Sequence, residues 1–163
     1  MHTVILVALL LVVACFVLVL LRGAPYLPTL GPQVATALDL IDLKRGQTLL
    51  ELGCGDGKVL VAAAERGLKV VGYELNPILA LIAWLRTRRY KGRVTVICGD
   101  FWRADWPPAE AIFVFLLDPF MPRLHTKITQ YSSKPVKLVS FAFKVPAKAP
   151  EKIENGLFLY MYK

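Results

Sequence analysis

The chain has 163 residues, 56% of them apolar, with 20 Lys and Arg against 12 Asp and Glu and a formal net charge of +8. That length holds one domain of ordinary size. The apolar excess sits at one end and the three cysteines are scattered, which excludes a polytopic transporter, a disordered chain and a disulfide scaffold.

Thr3 to Leu21 is a run of 19 residues without a charge. As a helix it would be ~28 Å long, close to the ~30 Å hydrocarbon core of a bilayer. A cleaved signal peptide would carry a basic start, and Met1 and His2 supply none. Residues 1–22 are therefore expected to be a retained anchor, one transmembrane helix closed by Arg22. All other charge follows that point, so the positive-inside tendency puts the rest of the chain on the cytoplasmic side of a single-pass membrane protein. Without this run the remainder is about half apolar, an ordinary globular value.

Residues 23–32 (GAPYLPTLGP) read as a turn-rich linker, and residues 33–163 as the folded domain. Within it, residues 34–43 form an amphipathic helix and 47–52 a buried strand. A glycine loop follows at 53–57, then a helix over 58–66 and a strand over 68–74. Pro77 suits a first helical turn with Asn76 as its cap, and that helix runs to about residue 90. Strands are predicted at 93–98, 111–117, 136–143 and 156–162, with a helix at 122–130. His125 is read as a surface residue of that helix. The alternation gives an α/β fold, a Rossmann-like doubly wound and mainly parallel sheet with an abbreviated C-terminal edge.

The loop Glu51-Leu52-Gly53-Cys54-Gly55-Asp56-Gly57 follows a strand and precedes a helix, where glycines let backbone approach a ligand. Its GxGxG spacing is not the GxGxxG of dinucleotide enzymes, and no GK[ST] of a P-loop follows. Glu51, Asp56, Glu74 and Asp100 should share the C-terminal rim of the sheet. Four carboxylates repel a pyrophosphate and suit a cationic ligand with a ribose diol, a description S-adenosylmethionine fits.

These residues resemble the class I S-adenosylmethionine-dependent methyltransferases. ELGCGDG looks like their motif I, which assigns Glu51, Gly53, Cys54, Gly55, Asp56 and Gly57 to the cofactor. Glu74, in Gly72-Tyr73-Glu74-Leu75-Asn76-Pro77, looks like the acid that holds the ribose hydroxyls, flanked by Leu75 and Asn76. Gly99-Asp100-Phe101 looks like the adenine segment, with Asp100 toward the amino group and Phe101 against the ring. A membrane segment, Pro25-Tyr26-Leu27-Pro28-Thr29, ELGCGDG and GYELNP in that order resemble one group of small methyltransferases. Met121-Pro122-Arg123-Leu124, Val139-Ser140-Phe141 and Leu159-Tyr160 look similar too. The mitochondrial members of that group are protein-lysine methyltransferases acting on ATP synthase c subunit and adenine nucleotide translocase. The resemblance implies that Tyr26, Pro28 and Thr29 help close the site. It also implies a prokaryotic relative, because basic mitochondrial targeting character is missing, and a membrane protein with a lysine as substrate.

Two features stay open. Asp118-Pro119-Phe120 resembles the [DN]-P-P-[YF] of amino-methylating nucleic-acid enzymes but lacks the second proline. Asp118 and Pro119 are read either as substrate contacts or, for Asp118, as a helix cap. Arg86, Arg88, Arg89, Lys91 and Arg93 form the densest charge cluster: a solvated helix end, a contact to anionic lipid, or a contact to phosphates of a nucleic acid. No metal is expected, since two histidines and three scattered cysteines make no ligand set. The alternatives to a lysine methyltransferase are a nucleic-acid amino methyltransferase and a non-catalytic cofactor-binding module on a membrane.

Overall fold

The computed structural model describes residues 2–7, 9–10, 13, 31–131, 134–146 and 148–163. Its strands are β1 Thr48–Leu52, β2 Lys69–Glu74, β3 Val94–Cys98, β4 Ala111–Val114, β5 Val136–Phe141, β6 Lys152–Glu154 and β7 Leu157–Tyr162. The helices are α1 Gly31–Ile41, α2 Lys58–Glu65, α3 Pro77–Thr87 and α4 Met121–Tyr131. The strands make one seven-stranded sheet in the order β3-β2-β1-β4-β5-β7-β6. β1 to β5 are parallel, and β7 runs antiparallel to β5 and β6 on either side of it. The strand order reverses between β1 and β4, the place where open α/β sheets leave a crevice at their C-terminal ends.

Successive strand residues point to opposite faces, and both faces are covered. On one face Leu50, Leu52, Ile112, Val114, Leu138 and Tyr160 pack with Met121, Leu124 and Ile128, the apolar stripe of α4. On the other, Leu49, Phe113 and Val139 pack with Ala37 and Ile41 of α1 and Leu60 and Ala63 of α2. All four residues of β4 are buried, as an apolar strand in mid-sheet should be.

The element boundaries move in places. α1 begins at Gly31, inside the expected linker, because Pro32 is tolerated in a first turn. It stops at Ile41, where Asp42 takes a left-handed backbone (φ 44°). Residues 115–117 continue the apolar run of β4 but leave the ladder. β6 was not visible in the sequence: three residues are too few to display a period. The far edge is short, with no helix among the described residues between β5 and β6. His125 is half-buried with Nδ1 2.9 Å from the Tyr162 hydroxyl, so it faces β7 rather than open solvent.

Of the expected anchor, residues 2–7, 9, 10 and 13 are helical and exposed. The rest of 1–22, and residues 23–30 with Tyr26, Pro28 and Thr29, lie outside the described residues. No helix among the described residues is long and apolar enough to cross a membrane.

Tyr160 ties β7 to the turn after β5: its hydroxyl accepts the buried Val145 N–H at 3.0 Å. Tyr160→Phe keeps the packing and orphans that donor. We expect a loss of about 1–3 kcal/mol in urea unfolding, and an unchanged midpoint would mean that water replaces the hydroxyl.

Candidate functional site

β1 ends at Leu52, and the chain turns through the glycine loop into α2. Gly53, Gly55 and Gly57 all have positive φ, at 87°, 52° and 80°. L-residues adopt that backbone at a cost, so the alternation of glycines follows from the turn itself. Their surroundings differ. A Cβ on Gly53 would meet nothing within 4 Å, whereas one on Gly57 would lie 3.0 Å from Cα and Cβ of Ala83 in α3. Gly53 thus has no neighbour over the loop among the described residues, and Gly57 permits close packing of the loop against α3. The loop is fastened to β2 by Gly53 N and Cys54 N, both donating to the Tyr73 carbonyl at 2.9 and 2.8 Å.

Glu74 ends β2 directly beside this loop. One carboxylate oxygen accepts Gly55 N–H and the other Asn76 N–H, each at 2.8 Å. Asn76 caps α3, its Oδ1 accepting from Ile78 N at 2.9 Å and Leu79 N at 3.4 Å. These bonds hold Glu74 at the C-terminal end of β2, beside the loop, with lone pairs to spare, since a carboxylate accepts about four hydrogen bonds. Two buried polar atoms nearby have no partner among the described residues, Glu51 Oε2 and Asn76 Nδ2. A buried carboxylate oxygen and a buried amide nitrogen left unmatched fit a ligand that brings its own hydrogen bonds.

The charge of the rim is uneven. Asp56 is held by Arg86 of α3 at 2.5 Å, with Lys58 at 3.8 Å. Asp100 lies 3.8 Å from an exposed Arg103. Glu51 and Glu74 have no cation among the described residues. Burial pushes the Glu51 carboxyl well above the usual range, and the carboxylates of Glu74 and Asp56 push it further. Burial also raises Glu74, against the opposing effect of the Asn76, Gly55 and Leu75 N–H groups. The Cys54 thiol is raised by burial and then by Glu51 and Glu74, which makes it an inert packing group.

This gives a pH dependence with a defined sign. Folded Glu51 keeps a proton that the unfolded chain has already released, so stability falls as pH rises from the ordinary carboxylate range through the raised one. Glu51→Gln removes that fall. The ligand-free variant should gain about 1 kcal/mol over the parent at neutral pH and converge with it in acid. Parallel stability curves between about pH 5 and pH 8 would exclude an unpaired charge at Glu51.

The remaining candidates divide. Leu75 is half-buried next to Glu74. Asp100 accepts Trp102 N–H at 2.9 Å, ordering its own turn. Phe101 is 9% exposed and packs on Trp102 at 4.6 Å between ring centroids, so most of its ring is core. Asp118 and Pro119 are exposed in the 3-10 turn Asp118–Phe120 after β4, and no side-chain cap bond forms there. Two contacts were not foreseeable from the sequence. One is the Arg86–Asp56 pair, although Arg86 stood out as part of the basic run. The other is Lys127, whose Nζ donates to the Trp102 and Ala104 carbonyls at 3.1 and 3.0 Å and fixes the 102–104 turn. No spacing in the sequence signals that bond.

Residues 51–152 match the model of the ANTKMT methyltransferase domain. The chain is 30% identical to a lysine N-methyltransferase of the ATP synthase c subunit from Xenopus laevis, over 91% of its own length and 67% of that protein. It spans a smaller part, 52%, of the mouse protein so named. It is 28% identical to a protein-lysine N-methyltransferase of Saccharolobus islandicus, covering 81% of this chain and 86% of that one. Among solved structures, an RNA methyltransferase from Salinibacter ruber in complex with S-adenosyl-L-homocysteine superposes with a TM-score of 0.76 at 28% identity. That superposition covers 83% of this chain and 92% of the other. The chain belongs to the ANTKMT methyltransferase domain family, and with it to the S-adenosylmethionine-dependent N-methyltransferases.

Proposed function

We propose that the chain methylates a lysine amine of a membrane-associated protein, with residues 1–22 as its anchor and the catalytic domain on the cytoplasmic side. The observation that carries the site is the pair of buried carboxyl groups without a cation among the described residues, Glu51 in β1 and Glu74 at the end of β2 beside the glycine loop. In this reading Glu74 accepts the ribose hydroxyls, and Gly53 and Gly55 let the loop backbone approach the ligand. Glu51, protonated in the ligand-free fold, would release that proton beside a cationic ligand and balance its charge; Leu75 and Asp100 border the base, and Asn76 Nδ2 gains a partner. When bound, S-adenosylmethionine supplies an electrophilic methyl group for in-line displacement.

The chain's own residues must deliver a neutral amine, although a free lysine has a pKa of about 10.4. Phe115 packs on Phe141 at 4.9 Å between ring centroids and stacks on Phe143 at 6.5 Å, at the C-terminal ends of β4 and β5. An apolar surface there disfavours the ammonium form. Asp118, exposed at the same rim, would orient the amine and accept its proton, and the Pro119 backbone would border it. Tyr26, Pro28 and Thr29 are proposed to close the site from the linker.

Support for a lysine comes from the names of the frog and archaeal relatives. A second reading, amino methylation of RNA, has Asp118-Pro119-Phe120 and the Salinibacter protein's name behind it. Membranes from cells lacking the gene, incubated with the full chain and methyl-labelled cofactor, separate the two. We expect label on a lysine of a membrane protein, and label confined to RNA would overturn the first reading.

A further inference from the structure

Outside the N-terminal residues, the exposed large apolar side chains among the described residues are Ile153 and one cluster on α3: Leu81 (56% exposed), Ile82, Trp84 (55%) and Leu85. The helix explains the cluster. Pro77 to Leu85 is apolar all round, and Leu79, Ala80 and Ala83 supply the face that packs on the domain. At ~100° per residue, Leu81, Ile82 and Leu85 project from the opposite face with Trp84 at its border. A soluble surface does not need such a stripe, and its grouping marks a contact.

Charge completes the pattern. Arg86 and Arg89 are engaged by Asp56 and Glu65. Arg88, Lys91 and Arg93, exposed at the end of the helix and just beyond it, have no ion-pair partner among the described residues. Nucleic acid would answer these cations but leave the aliphatic stripe in water. A second copy of this basic chain would cover the stripe and add like charge. An anionic bilayer surface answers both, with acyl chains under Leu81, Ile82 and Leu85, the indole of Trp84 at headgroup level and phosphates against the cations.

We propose that α3 lies in the plane of an anionic membrane on this face and fixes the domain's orientation. The Pro77–Thr87 helix is ~16 Å long, enough to lie on a bilayer and far too short to cross it. Its first turn is capped by Asn76, next to Glu74. A helix resting on the membrane therefore keeps Glu74 and the glycine loop bonded to it within one helix length of the lipid. This takes from the proposed function only that the domain works beside a membrane, and it does not depend on which amine is methylated.

The full chain, reconstituted into vesicles of phosphatidylcholine with or without phosphatidylglycerol, provides the test. Trp102 and Trp106 are buried, so the lipid-sensitive emission belongs to Trp84. In vesicles with phosphatidylglycerol we expect blue-shifted emission that acyl-brominated lipid quenches. Trp84→Phe should abolish the quenchable part, and Arg88→Glu with Lys91→Glu should reduce it. Trp84 emission that stays red and open to acrylamide, in a chain that co-sediments with vesicles, overturns the proposal and leaves the anchor intact. A chain that stays out of the vesicles under every lipid condition overturns both. Blue-shifted Trp84 emission that acyl-brominated lipid fails to quench, assigning the face to the chain's own N-terminal segment, overturns it as well. So does protection that rises with protein concentration, meaning a second copy, or that requires added RNA.

Discussion

Glu74→Ala is expected to weaken S-adenosylmethionine or S-adenosylhomocysteine binding about a hundredfold, near 3 kcal/mol. Hydrogen bonds to an ionised carboxylate are the strong ones, and two ribose hydroxyls would lose theirs together. The variant also orphans the Gly55 and Asn76 N–H groups, so the loop loses one of its links to β2 and keeps those of Gly53 and Cys54 to the Tyr73 carbonyl. Glu74→Gln separates the two effects. It keeps the shape and one acceptor, and should retain the fold while losing part of the affinity. Calorimetric titration of the full chain in detergent reads both variants. Affinity within about threefold of the parent in Glu74→Ala would move the cofactor site elsewhere.

Gly57→Val should have the largest effect on stability. A β-branched residue at φ 80° is strained on its own account, and its Cβ would press on the Ala83 backbone at 3.0 Å. Left-handed strain of about 1–2 kcal/mol and overpacking of about 1–3 kcal/mol together reach a large fraction of an ordinary domain's stability. We expect the variant to lose its cooperative thermal transition or to show it at much lower temperature. Gly53→Val is the matched control: at φ 87° it carries similar strain, but its Cβ meets no described residue within 4 Å. It should stay folded and lose affinity instead. Equal stability losses in both variants would mean that packing against Ala83 is not what Gly57 provides.

Both outcomes turn on residues whose roles are legible in the amino-acid sequence. The loop, Glu74 and the capping Asn76 form a local constellation. Their bonds span few residues or join a strand end to the turn beside it, and the residue types report that geometry directly. The alternating glycines mean positive φ, the terminal Glu means an acceptor, and Asn-Pro means a helix start. The sheet's parallel part followed from helices between strands for the same reason. The rest depends on partners far apart in the chain. That Asp56 would be neutralised by Arg86 could not be read, so four acidic residues looked alike when, among the described residues, only Glu51 and Glu74 lack a counter-charge. Phe101 looked like a base-facing aromatic, because nothing in Gly-Asp-Phe tells that Trp102 and the core would enclose most of its ring. That Trp84 is exposed could not be read either, because a wholly apolar helix does not reveal which face meets the sheet.

The position of β7 bears on how this chain can be made. Its six residues are paired on both sides, to β5 from Val136–Tyr162 through Phe141–Leu157 and to β6 over three residues. During synthesis the parallel strands β1 to β5 emerge first, and β5 then presents a long, largely buried-type edge with nothing beside it. Such an edge is a template for pairing with another chain. That edge is covered only once β7 has been made, a strand in which four of six residues are buried. The pairing of β6 with β7 suits that order, because a hairpin around Gly156 forms in microseconds and covers the edge in one step.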